Sequence, residues 1–154
     1  MLTAIRRFFE ESLDPSAKDS RHSRARRSDP LALATAALMI EVMRVESGDD
    51  PTAFARITAA LEEIFGLPHT EIEELIGLAE QELADATDLY QFTRLINQHW
   101  GQTERIKLIR NMWQVAWADG TVHHYEEHLI RRIADLIHVR HSDFIAAKRA
   151  TRDS

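Results

Sequence analysis

The feature that most constrains this chain is that it repeats itself. Sliding the sequence along itself by 73 residues sets Val42 on Val115, Glu46 on Asp119, Ile57 on Ile130 and Ile64 on Ile137. A shift of 72 then sets Leu67 on Val139, His69 on His141, Thr70 on Ser142 and Glu71 on Asp143. A small insertion or deletion between the two blocks accounts for the change of shift. Chance similarity between amphipathic helices would align apolar positions alone. Here caps and turns align as well, which is the mark of a duplicated unit. Each half reads as helix, acidic turn, helix, short loop, helix.

Local signals agree with that reading. Ala, Leu, Glu and Arg dominate, and the 154 residues hold only five glycines and four prolines, a mix that favours helices. Apolar residues nowhere alternate with period two, so an all-α fold without a sheet is predicted. The length suits one domain with a real core.

Asp29-Pro30 opens a helix over residues 30–46 that is apolar nearly all round until Glu41 and Arg44, and such a helix is central and buried. Asp50-Pro51 repeats the start signal, and Gly66 is a stop. Thr70 and Glu73 have capping-box spacing, residues 88–99 form a further helix, and Gly101 breaks it. Thr103 is placed to cap the next helix, which carries Ile106, Ile109, Met112, Trp113 and Ala116 and ends at Asp119-Gly120. Leu129, Ile133, Leu136 and Ile137 mark another helix, and Ser142 is placed to cap the last. The body of the fold is therefore expected over residues 29–150. Trp100, Trp113 and Trp117 read as core rather than as a stacking platform for nucleobases.

The first 28 residues differ in kind. Residues 1–13 read as a short amphipathic helix with Leu2, Ile5, Phe9 and Leu13 near one face, widened by Phe8. It either packs on the body or docks on a membrane surface or partner. Residues 14–28 lack apolar periodicity and crowd Lys18, Arg21, Arg24, Arg26 and Arg27 together, as a flexible basic linker would. Peripheral membrane contact, if the chain makes any, is thus expected through residues 1–28.

Several classes are disfavoured. A net charge of -6 makes the chain a poor ligand for nucleic acid backbones. With no cysteine there is no disulfide, zinc–thiolate site or thiol nucleophile, which fits a cytoplasmic setting. The most apolar run, residues 31–40, is about half the length of a membrane span. Arg6, Arg7, Glu10 and Glu11 interrupt what would be the core of a secretory signal. No nucleophile elbow, Walker loop or dinucleotide fingerprint occurs.

The most informative segment is residues 117–126, WADGTVHHYE. Asp119, the turn-forming Gly120, an apolar Val122 and a closing Glu126 reproduce the back half of a calcium-binding EF-hand loop. The front half is missing, because its first and third ligand positions fall on Val115 and Trp117. Calcium or magnesium here is therefore weakly held, or borrows carboxylates. The first half offers Glu41 and Glu46, although Ala53 stands where the closing Glu would be. If the two turns pack together, Glu41, Glu46, Asp119 and Glu126 share one pocket. The same residues also admit a purely structural reading, in which Asp119-Gly120 stops a helix and Glu126 near N3 favours the next helix dipole.

Residues 124–128, HYEEH, match the pattern of inverted zinc metalloproteases, with two histidines on one helix face. No third ligand is identifiable, and a surface cluster of His123, His124 and His128 is the plainer reading. Zinc hydrolysis is therefore a remote alternative.

Residues 38–46 (LMIEVMRVE) resemble the opening of TerB-like tellurite-resistance proteins, and residues 113–120 (WQVAWADG) resemble their second signature. Residues 125–136 continue it in register, and residues 89–96 (LYQFTRLI) look like the stretch linking the two halves in an uncharacterised bacterial branch of that family. The resemblance covers about residues 31–149. It implies a compact bundle of about seven helices with an acidic face suited to a divalent metal, and a link to tellurite or stress resistance without a reaction. Glu46, Ser47 and Ala53 depart from the Asp, Gly and Glu of better-matched members. The expected function is a non-enzymatic module that senses a divalent cation or binds a protein partner. The alternative is a membrane-associated adaptor docking through residues 1–28.

Overall fold

Helix α1 spans Asp29–Ser47, α2 Pro51–Phe65, α3 His69–Asp85, α4 Tyr90–His99, α5 Gln102–Ala116, α6 His124–Leu136 and α7 His141–Arg152. A 3-10 turn over Trp117–Asp119 extends α5. These elements come from a computed structural model that describes residues 29–48 and 50–152, apart from the side chains of Asp29, Glu46 and Ser47. The amphipathic helix expected over residues 1–13 and the linker over residues 14–28 lie outside the described residues. Among the described residues there is no strand, and the fold is the expected all-α bundle of seven helices. No helix among them is long and apolar enough to cross a membrane.

The element boundaries reproduce the repeat. Helices α1 and α5 start 73 residues apart, as do α2 and α6, while α3 and α7 start 72 apart. Helix α4 is the link between the halves. The slip falls just after α2 and α6, where the chain reverses through a left-handed residue. That residue is Gly66 in the first half and His138, 72 positions on, in the second.

Helix α1 is the hub. Each residue from Ala32 to Ile40 is fully buried, and α2, α3, α4, α5 and α6 all pack against the helix. Four of those nine residues are Ala, so neighbouring backbones approach closely on every side. Burial of Leu33, Leu38 and Ile40 contributes about 1.5–3 kcal/mol each. Thr35, polar within this run, donates its hydroxyl to the Leu31 carbonyl at 2.8 Å.

Its counterpart α5 buries only one face, through Leu108, Ile109, Met112, Trp113, Val115 and Ala116. Helix α7 closes over that face. Trp113 lies 5.1 Å from the Phe144 ring and beneath the Lys148 ammonium, which pairs with Glu127 of α6. Trp113 is fully buried, while Trp100 and Trp117 pack at the core's edge.

Helix α2 starts as its sequence dictates. Asp50 accepts the Thr52 N–H at 2.9 Å, Pro51 opens the first turn, and Gly66 closes the last with its N–H on the Glu62 carbonyl. Three expected caps are corrected. Pro68 rather than Thr70 precedes α3, Gly101 rather than Thr103 precedes α5, and α7 begins at His141, ahead of Ser142.

The cause at α3 and α7 is packing. Leu67 and Ile72 are both buried, as are Val139 and Phe144, and each pair has the spacing of a hydrophobic staple. These apolar clamps fix the entry of the chain, and the Pro68 and Arg140 carbonyls start the hydrogen-bond ladders.

Candidate functional site at the paired acidic turns

At the end of α5 the backbone turns left-handed at Gly120, with φ 94°. Only glycine adopts that conformation cheaply. Asp119 ties the turn to the start of α6. Its Oδ1 accepts the Thr121 N–H at 3.1 Å, and its Oδ2 lies 3.0 Å from His123 Nε2. His123 is the N-cap of α6, and its N–H donates to Glu126 Oε1 at 3.1 Å. His123 and Glu126 thereby form a reciprocal capping box, with Glu126 at N3 and buried. The structural role expected for both carboxylates is real. Burial alone would raise the Asp119 carboxyl, but the Thr121 amide and the His123 ring outweigh it and hold it below the usual aspartate value.

The first-half turn packs onto this one. Asp50, Asp119 and Glu126 line a single cavity of about 10 Å³, with Met43, Ala53 and Ala116 among its other walls. That is roughly the room one water needs. Met43 and Ala116 are 73 residues apart, as are Ala53 and Glu126, so the cavity sits on the pseudo-symmetric contact between the halves. Gly48, with φ 72°, takes the left-handed role of Gly120, one residue later than the uniform shift would place it.

Of the residues singled out from sequence, Asp119 and Glu126 meet at this cavity. Glu41 does not line it. Glu41 lies two positions before Met43, about 200° around the helix, and instead lines a separate cleft with Tyr125 and Arg132. The Glu46 side chain lies outside the described residues. Asp50 is the carboxylate that sequence reasoning missed, because Asp50-Pro51 reads only as a helix start. The signal was present: Asp50 is 73 residues before His123, so the two helix caps are equivalent positions.

The donor chemistry fits a hard cation. Three carboxylates supply oxygen ligands of the kind calcium and magnesium prefer. Among the described residues, however, no group of three or more histidines or carboxylates stands at metal-ligand spacing. A cation bound here would have to compete with His123 for Asp119 and draw Asp50 inward. The residues of the metalloprotease-like pattern do not converge. Glu127 is ion-paired with Lys148, which holds its carboxyl below the usual value, His124 packs edge-on against Tyr125, and His128 lines the cleft beside Glu41.

No curated protein and no solved structure matches the chain. The family described as Tellurite resistance protein TerB matches residues 32–149, about three quarters of the sequence and both half-repeats. A duplicated all-α bundle hinged on an Ala-Asp-Gly turn, matched over that span, makes this chain a member of the TerB tellurite-resistance family.

Proposed function

We propose that this chain is a non-enzymatic TerB module of tellurite or stress resistance whose paired acidic turns respond to weakly held calcium or magnesium. The observation that carries the reading is the shared cavity, to which the first half brings Asp50 and the second brings Asp119 and Glu126. A divalent cation drawn between them offsets two of the three carboxylate charges and ties the α1–α2 turn to the α5–α6 turn. Because the ligands are not preset, part of the binding energy goes into rearrangement, and affinity is low. That coupling converts cation level into a change in how the two halves present their outer faces to a protein partner.

The test is thermal melting of the full chain with added calcium or magnesium. At 10 mM cation and a dissociation constant near 1 mM, mass action stabilises the fold by about 1.4 kcal/mol. For a domain of this size that raises Tm by roughly 3–5 °C. Asp119→Asn is expected to abolish the rise. An unchanged Tm in the unmodified chain, or the same rise in Asp119→Asn, would remove the cation from the proposal.

A further inference from the structure

Helices α2 and α5 pack together, and two adjoining cavities of about 570 and 260 Å³ open along their seam. Thr103, Ile106, Lys107 and Arg110 line one end, and Arg56, Ala59 and Ala60 the other. Glu63, Asn111 and Gln114 line both, so the two form one groove. Its volume is that of a ligand site. The duplicated frame builds such a groove twice. Gln114, Arg56 and Ala59 stand 73 residues from Glu41, Leu129 and Arg132, which line the cleft between α1 and α6. The frame supplies the groove, and the side chains set its charge.

That charge runs against the rest of the molecule. Arg56, Lys107 and Arg110 face a single acid, Glu63, on a chain of net charge -6. The cations are available. Arg110 has no ion-pair or hydrogen-bond partner among the described residues. Lys107 and Glu63 lie 3.8 Å apart with both side chains more than half exposed, a pair that opens at little cost. Arg56 is held at the level of Gln114, whose carbonyl accepts its Nη1–H at 2.6 Å. Asn111 leaves its buried Nδ2 without a hydrogen-bond partner. Turned over, that amide offers the donor to a carbonyl lying in the groove.

The cations are strung out rather than gathered. Lys107 and Gln114 are about 10 Å apart along α5, and the groove from Thr103 to Gln114 runs about 16 Å. A single oxyanion needs donors converging on one point. An extended peptide of about five residues spans the groove, and its alternate side chains recur on one face every ~7 Å. We infer that the groove between α2 and α5 docks an extended acidic peptide segment of a protein partner, with Arg56, Lys107 and Arg110 taking its carboxylates and Asn111 and Gln114 its main chain. The groove shares no lining residue with the acidic cavity and needs no cation. Its test and the melting test therefore fail separately.

The probe is a capped peptide of alternating glutamate and serine, about six residues long, titrated into isotope-labelled full chain at low salt. Amide shifts are read by NMR. They are expected along residues 56–63 and 103–114, and to shrink as salt is raised. Arg110→Glu is expected to weaken binding about tenfold with the circular dichroism unchanged, whereas Arg110→Lys keeps most of the affinity. Arg94→Glu makes the same charge change at an exposed position outside the groove, and is expected to alter binding by less than about twofold. Equal weakening by Arg94→Glu would reduce the effect to the overall field and overturn the inference. Shifts confined to the basic residues 14–28, or no shifts at all, would do the same. Inorganic phosphate moving the same amides as far as the peptide at matched ionic strength would make the groove a site for simple anions and also overturn it.

Discussion

After α5 the chain turns through Asp119 and Gly120, caps α6 with His123, and brings Glu126 back as the N3 partner of that cap. After α1 it turns through Gly48 and enters α2 directly from Asp50 and Pro51. The second turn splits the capping work between two side chains, one of them a buried glutamate. The first gives that work to one aspartate, so its N3 position, Ala53, can be small. The comparison teaches that a degenerate repeat need not lose its chemistry. The carboxylate missing at Ala53 reappears three residues earlier, at Asp50, and still faces the shared cavity.

The sharpest way to break this comparison is to make the first turn copy the second. Ala53→Glu places a carboxylate in a position that is 2% exposed, beside a cavity with room for one water. It is expected to cost about 3 kcal/mol or more in urea unfolding at pH 7, from crowding and unpaired buried charge. A loss under 1 kcal/mol would mean that the two turns are interchangeable after all.

The converse change, Glu126→Ala, removes half of the capping box and a buried group that the second turn relies on. About 2 kcal/mol is expected to be lost. Asp50→Ala removes a simpler cap and is expected to cost about 1 kcal/mol by the same measurement.

Acid titration refines the contrast. The Asp119 carboxyl is held below its ordinary value of 3.8 in the folded chain. The stability it contributes is complete above that ordinary value and is lost as pH falls through the lowered one. Because its side chain is 37% exposed, the effect stays well under about 1 kcal/mol. Unfolding followed between pH 5 and pH 2 is expected to show Asp119→Asn with a shallower acid loss than the unmodified chain.

The smallest effect concerns the left-handed residues that end α2 and α6. His138, at φ 61°, bears a strain that Gly66, at φ 63°, avoids. His138→Gly is expected to gain about 0.5 kcal/mol, and Gly66→Ala to lose about 1 kcal/mol.

Much of this was legible in the sequence. The 73-residue shift foretold the starts of α5 and α6 from those of α1 and α2, and the apolar run at residues 32–40 foretold a buried hub. Glu126 at N3 is readable from spacing alone. The orientation of Glu41 is not, for a physical reason. A helix that is apolar nearly all round has no polar face to say which side meets the second turn, so Glu41 and Met43 are equal candidates. Asp50 is half-legible, because its cap is local while its place in the cavity depends on how α2 packs against the end of α5. Thr70, Thr103 and Ser142 are overvalued as caps by sequence alone. Side-chain capping is visible in a short window, whereas the staples at Leu67 and Val139 depend on burial.

Convergence of both halves on one cation site is tested most directly by adding substoichiometric manganese(II) to isotope-labelled full chain and reading amide broadening. The expected result is that residues 50–53 and 119–126 broaden together at the same manganese level and recover together when excess magnesium is added. Broadening confined to residues 119–126, or spread over acidic side chains across the surface, would contradict a shared site.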